Sequence, residues 1–336
     1  MPYQRLAARL AAGPRPTVST LPDGSIDRYC RLSAGGLDPV DRRTTFAREI
    51  EAGGRKGFAL DPVSVEPGGQ SVNAAVQAHA LGSETTCYGH LDHTVFDDLP
   101  FDTVSMGEPA VVNVLDFEDS DLLLVEHSPD LRDWTLAELR EVASLESVFG
   151  VDAVACSNWV SVPAMGEAFH ELAAEALPRV PFVFDPGDVL GGDLDSHRDL
   201  RDAVAALQTT LDVAVSVNTT ELRALAAALP EPPEPPVDDR DRVQALRRAF
   251  GGATVVKHGK REALAATAEG VVAVDNPTVE DRRQTGGGDR FAGGLAVGLG
   301  AGWDWDVALA CGNACASHYV ATGETATADE LRAWVP

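Results

Sequence analysis

The sequence predicts an α/β protein built on a parallel sheet with covering helices, carrying a smaller strand-rich part. Three observations lead there. Strand-like and helix-like stretches alternate along most of the chain, the pattern of parallel strands joined by helical crossovers. Two regions, about 28–66 and 101–126, break that rhythm with β-prone runs and no long helix. A length of 336 residues suits one large α/β unit with an appendage.

In chain order, Thr17 to Leu21 is the first predicted strand. Gln70 to Leu81 is an Ala-rich helix stopped by Gly82, and Glu84 to Tyr88 is the next strand. Val151 to Cys156 and Val180 to Asp185 are further buried strands, with a helix from Ala164 to Leu177 between them. Leu211 to Ser216 is a strand that leads into a helix from Thr219 to Leu229. Pro230 to Pro236 is a solvated proline-rich linker. Ala253 to Lys257 is a later strand, and the Ala- and Gly-rich runs Gly288–Gly302 and Val307–Thr322 are helical. The two irregular regions carry Ala110 to Leu115 and Leu122 to Val125, and can pair into a small separate sheet.

Composition narrows the function. A net charge of −25 leaves little that could displace counterions from a nucleic acid. No apolar run approaches 18 residues and nothing resembles a signal peptide, so neither a membrane partner nor export is expected and a cytoplasmic setting is the default. Lysines are confined to positions 56, 257 and 260, an acid-rich, Lys-poor balance like that of salt-adapted proteins. Five cysteines without a CxxC pair read as reduced thiols. His90, His93, His127 and His258 show no metal spacing with a third ligand.

The strongest motif is Thr285-Gly286-Gly287-Gly288-Asp289. Three glycines run into an apolar helix, so backbone N–H groups converge at a helix start and can hold anionic oxygens. An aspartate there is out of place if the site only binds anions. It fits if its carboxylate takes a proton from a hydroxyl while the glycine amides stabilise a transferring phosphoryl group. A glycine-rich helix cap accounts for the same residues. Neither a dinucleotide fingerprint nor a P-loop fits the spacing.

Three further motifs are weaker alone. Gly68-Gly69 precede a helix with Asn73 in its first turns, offering close backbone approach and an amide for a polyol. Asp23 and Asp27 follow the first strand, where open parallel sheets bind ligands; Asx turns explain them equally. Asn218 and Glu221 share a helix face and suit a hydrated Mg²⁺, yet they also read as a helix cap.

Taken in order, these motifs resemble the ribokinase-like, or PfkB, carbohydrate kinases from Thr17 to about Thr322. Gly68-Gly69 with Asn73 look like the family's first signature, and Thr285 to Asp289 like its second, usually Thr-Gly-Ala-Gly-Asp. Asn218 and Glu221 match its Asn-x-x-Glu element, and Val256-Lys257-His258-Gly259 its strand end beside the nucleotide. The resemblance implies a Rossmann-type three-layer sandwich with a β-sheet lid in the two irregular regions, and ATP and Mg²⁺ as cofactors. It implies Asp289 as catalytic base and Gly286, Gly287 and Gly288 as anion hole. Asp27, Gly68, Gly69 and Asn73 would bind a sugar-like acceptor. Asn218 and Glu221 would arrange Mg²⁺, with Asn218, Lys257, Gly259, Thr285 and Asn313 near the nucleotide.

Arg283 stands where the family commonly has an aspartate that helps to hold a monovalent cation, so the resemblance leaves monovalent-cation dependence open. A nucleoside kinase on the same fold would want aromatic stacking partners, and aromatic residues are only 6% of the chain. A non-catalytic sugar or nucleotide sensor would have no use for Asp289. The lid sheet, with an open edge and an apolar face, is a candidate homodimer interface.

Overall fold

The structure, a computed structural model, describes residues 1–13, 15–33, 39–54, 56–119, 121–233, 235–280, 282 and 285–335. Among the described residues the strands are β1 (Thr17–Leu21), β2 (Ser25–Ser33), β3 (Ala59–Gly68), β4 (Glu84–Gly89), β5 (Asp102–Ser105), β6 (Ala110–Leu115), β7 (Leu122–Glu126), β8 (Ala153–Ser157), β9 (Pro181–Asp185), β10 (Asp212–Asn218), β11 (Thr254–His258), β12 (Glu262–Thr267) and β13 (Gly270–Asp275). Nine form one sheet in the order β13-β12-β11-β10-β9-β8-β1-β4-β5. All neighbours from β11 to β5 are parallel, and β12 and β13 add an antiparallel edge.

Helices cover both faces, as the buried apolar strands require. One face packs Phe182, Phe184, Val215 and Val255 against helices Met165–Ala173, Leu194–Leu207, Thr219–Ala227 and Asp239–Ala249. The other packs Val18, Ala155, Val183 and Val256 against helices Pro2–Ala11, Gln70–Ala80, Gly287–Gly300 and Trp305–Thr322. This is the expected three-layer sandwich.

The remaining strands form a separate four-stranded sheet, β3-β2-β6-β7. A small core of Cys30, Leu32, Val40, Leu115 and Phe117 packs on Phe46 of helix Arg43–Glu51. The expected second insert is too long at its start. Asp102–Ser105 is parallel to β4 and extends the large sheet, because a parallel neighbour is already in reach there; the small sheet takes up the chain only from Ala110. Its first half likewise begins earlier than expected, at Ser25, and ends at Gly68.

Candidate active site

The carboxyl ends of β1, β8, β9, β10 and β11 lie side by side, and each delivers polar side chains to one edge of the large sheet. That edge is where an open parallel sheet leaves room for a ligand. Along it runs a cleft of about 950 Å³, whose walls include Gly288, Asp289, Asn313 and Ser317.

Helix Gly287–Gly300 opens into this cleft. Gly286 is its N-cap with φ +89° and supplies no side-chain cap, a left-handed backbone that suits glycine. The first N–H groups of the helix therefore face the cleft with their dipole. Asp289 sits in the first turn and accepts a 2.8 Å hydrogen bond from Asn73 Nδ2. Burial holds its carboxyl above the usual range, while the Asn73 bond and Arg290 pull it down. Asp289 is thus a carboxyl held in place, enclosed and more basic than a surface aspartate.

Asp185, Asp188 and Glu221 line the same space. Asp185 ends β9, and burial together with repulsion from Asp289 and Glu221 pushes it up to about 8, against a 2.9 Å hydrogen bond from Gly187 N–H. Glu221 is pushed up to about 7 by burial, opposed by Asn218. Asn218 and Glu221 form a reciprocal helix cap. Asn218 Oδ1 accepts from Thr220 N–H (2.8 Å) and Glu221 N–H (3.0 Å), and Glu221 accepts from Asn218 N–H (2.8 Å) and Nδ2 (2.5 Å). His258 closes the wall between β11 and the Gly288 helix start. Burial and the neighbouring Lys257 hold it down to about 4, so it is neutral at pH 7.

On the other side of Asp289 lie the small-sheet residues. Asp27 accepts from Ser25 Oγ at 2.6 Å. Gly68 is pressed against it: a Cβ there would lie 2.2 Å from Asp27 Cγ, so only glycine admits that carboxylate. Asn73, at the start of the following helix, links this group to Asp289.

A sequence profile of prokaryotic ketohexokinases matches residues 57–336. The chain belongs to that family. It is 29% identical over 340 residues to the ketohexokinase of Haloferax volcanii, covering 93% of this chain and 88% of the relative. Its fold is similar to that of ribokinase from Thermotoga maritima (TM-score 0.68, 17% identity, 95% of this chain and 98% of that one). The fructokinase with bound ATP from Xylella fastidiosa gives 0.66, at 16% identity over 94% and 97%. A ribokinase from Cryptococcus neoformans in complex with ADP gives 0.65, at 15% identity over 95% and 99%. The chain is a carbohydrate kinase of the ribokinase-like kind.

In this kinase, Gly287, Gly288, Asp289, Asn218, Glu221, Gly259 and Asn313 border the cleft. Gly286 caps the helix beside it. Thr285 donates a 2.8 Å hydrogen bond to Asp121, so it also tethers the helix start to the small sheet. Asp27, Gly68, Gly69 and Asn73 gather on the small-sheet side of Asp289 rather than in the cleft.

Two expectations need correction. Lys257 does not face the cleft. The strand alternates, so its neighbour His258 points in, while Lys257 is buried behind Gly259 with Nζ bonded to Glu262 O at 3.1 Å and 4.0 Å from Asp239. Asp23 is taken up within the protein rather than offered to a ligand, because five protein groups already donate to it: Gln70 N, Ser71 N, Ser71 Oγ, Ser157 Oγ and Asn158 Nδ2. Arg283 lies outside the described residues. Asp185, Asp188 and Gln70 are cleft residues that sequence reasoning missed. Asp185 was within reach of the strand-end rule that singled out Asp23 and Asp27.

Proposed function

We propose that the protein transfers the γ-phosphoryl group of ATP to a hydroxyl of a ketohexose, with Asp289 as general base and the start of helix Gly287–Gly300 as anion hole. The observation that carries this reading is the pairing of an uncapped helix start with an enclosed carboxyl in its first turn. An anion site alone has no use for that carboxyl; a phosphoryl transfer site uses both. The Haloferax volcanii relative, a ketohexokinase, supports the acceptor class, and the cleft beside the glycines has room for a nucleotide.

The sugar sits between Asp27, Gly68, Gly69 and Asn73 and presents a hydroxyl to Asp289. The Asn73 amide fixes the Asp289 carboxylate, and the raised proton affinity lets it take the hydroxyl proton as the phosphoryl group arrives. The N–H groups of Gly287 and Gly288 receive the charge on that group. Such a transfer needs positioning and charge stabilisation more than covalent help. The nucleotide runs along the cleft past Gly259 towards Asn313.

Asn218 and Glu221 fit a hydrated Mg²⁺. Burial raises both Asp185 and Glu221, with repulsion from Asp289 and Glu221 added at Asp185 and from Asp188 at Glu221, an acidic group that a cation relieves. Among the described residues no three acidic, His or Cys side chains converge for direct coordination, so water would fill most of its shell. When bound, the ion neutralises phosphate charge during transfer.

Leu60, Val63 and Val65 on β3 and Leu123, Leu124 and Val125 on β7 are exposed, which supports a homodimer through the small sheet; a monomer in sedimentation would overturn it. The acid-rich surface supports adaptation to high salt, to be checked by a fall in thermal midpoint when molar KCl is removed.

ATP turnover against a panel of ketohexoses, aldoses and nucleosides, run at high salt, tests the central reading. Asp289→Asn is expected to lose roughly 10²-fold or more in kcat. Full activity in that variant rejects the base, and turnover confined to nucleosides rejects the acceptor class.

A further inference from the structure

His258 is the last residue of β11 and pairs in register with Asn218 at the end of β10. It therefore stands on the same sheet edge as the Asn218–Glu221 pair. Its ring lies nearly flat on Phe291, one turn into helix Gly287–Gly300, with centroids 5.0 Å apart and planes at 29°. A Cβ on Gly288 would lie 3.5 Å from its Cε1 and 3.8 Å from its Nε2. The ring edge thus abuts the glycine at the mouth of the helix and forms part of the cleft wall. Among the described residues neither ring nitrogen has a hydrogen-bond partner, and the side chain is half-buried in the cleft wall.

We propose that His258 is a further catalytic residue, donating a ring N–H to the transferring phosphoryl group alongside the backbone N–H groups of Gly287 and Gly288. This rests on the reading that the phosphoryl group is received at that helix start.

An imidazole ring carries at least one N–H donor in either protonation state, so the role asks only that the ring be held beside the helix start. Stacking on Phe291 fixes the ring plane before substrate arrives, the preorganisation that makes such donors effective. Packing alone would be met by a leucine, which has no donor to aim.

His258→Leu and His258→Gln separate these roles. Their kcat and KM values are measured with ATP and fructose, together with calorimetric affinity for ADP and for ADP with aluminium fluoride and fructose. His258→Leu is expected to keep its affinity for ADP, to lose about 10²-fold in kcat, and to lose a similar factor in affinity for the aluminium fluoride complex. His258→Gln, which restores an N–H, recovers part of both. Unchanged kcat in His258→Leu, or an equal loss of ADP and aluminium fluoride affinity, overturns the proposal. If His258→Leu fails to fold, ¹⁵N spectra of the wild-type imidazole decide: no change of the N–H signal on forming the aluminium fluoride complex overturns it. Asp289→Asn serves as control, because full activity there rejects the base while leaving the analogue affinity of the His258 variants to be read separately.

Discussion

Two helices in this protein start on a positive-φ glycine, Gly69 and Gly286, at the same sheet edge, and they end up with opposite jobs. At helix Gln70–Ala80 the N–H groups of Gln70 and Ser71 are taken by the Asp23 carboxylate at 3.0 and 2.8 Å. At helix Gly287–Gly300 no side chain caps the start, and the nearest acid, Asp289, is inside the first turn and bonded instead to Asn73. One helix dipole is spent on an internal carboxylate and so anchors the first strand. The other is left open to solvent and so can receive an external anion. A glycine-led helix start is therefore not a site by itself; what fills it decides.

The sharpest way to break this comparison is to remove the carboxylate from each helix. Asp23→Ala strips partners from two backbone N–H groups, two hydroxyls and an amide in a buried place. It is expected to cost about 3 kcal/mol or more in unfolding free energy, read by denaturant titration. Asp289→Asn is expected to do the reverse. Its buried carboxyl is held above its usual range, so ionising it costs the fold something at pH 7, and the amide should match or exceed wild-type stability while kcat collapses. Equal destabilisation by the two substitutions would mean that both carboxylates are structural anchors.

A smaller effect is expected at the glycine that precedes the anchored helix. Gly68→Ala puts a methyl group 2.2 Å from Asp27 Cγ, and the carboxylate must move. The expected outcome is a loss of roughly 1–3 kcal/mol in stability and a rise in sugar KM of about tenfold, with the KM for ATP unchanged. A rise in the ATP KM instead would place Asp27 on the nucleotide side and take it out of the acceptor group.

The contrast also explains what could be read from sequence. The alternation of buried strands and helices is local, so β1, β4, β8, β9, β10 and β11 fall within a few residues of expectation. Strand β5 does not, because its pairing with β4 depends on a neighbour rather than on its own residues. The β12–β13 hairpin was missed for the same reason: an antiparallel edge gains its identity by docking on β11. At the site, motif spacing led to Asp289, Asn73, Asn218 and Glu221. It could not tell Asp23 from Asp27, since only the fold shows that Asp23 is fully bonded and that Asp27 faces Gly68. Lys257 and His258 are adjacent, and the direction of one strand residue decides which of them meets the cleft.

The smallest expected effect concerns the third carboxyl, Asp185, which belongs to neither helix but faces the open one. Its usual value is 3.8, and in the fold it is pushed up to about 8. A carboxyl that holds its proton more tightly folded than unfolded adds stability at low pH and gives it up as pH rises through the interval between those values. Glu221, pushed up to about 7, acts in the same direction over a narrower window. Without ligands, the wild type should therefore lose thermal midpoint relative to Asp185→Asn between about pH 5 and pH 8, by several degrees, and the gap should stay constant above pH 9. Because Asp289 and Glu221 are what Asp185 is repelled by, adding Mg²⁺ and ADP should shrink the gap, since a cation favours the ionised forms. Parallel pH curves for the two proteins would show that Asp185 is solvated like a surface acid and that repulsion within the cleft is not what raises it.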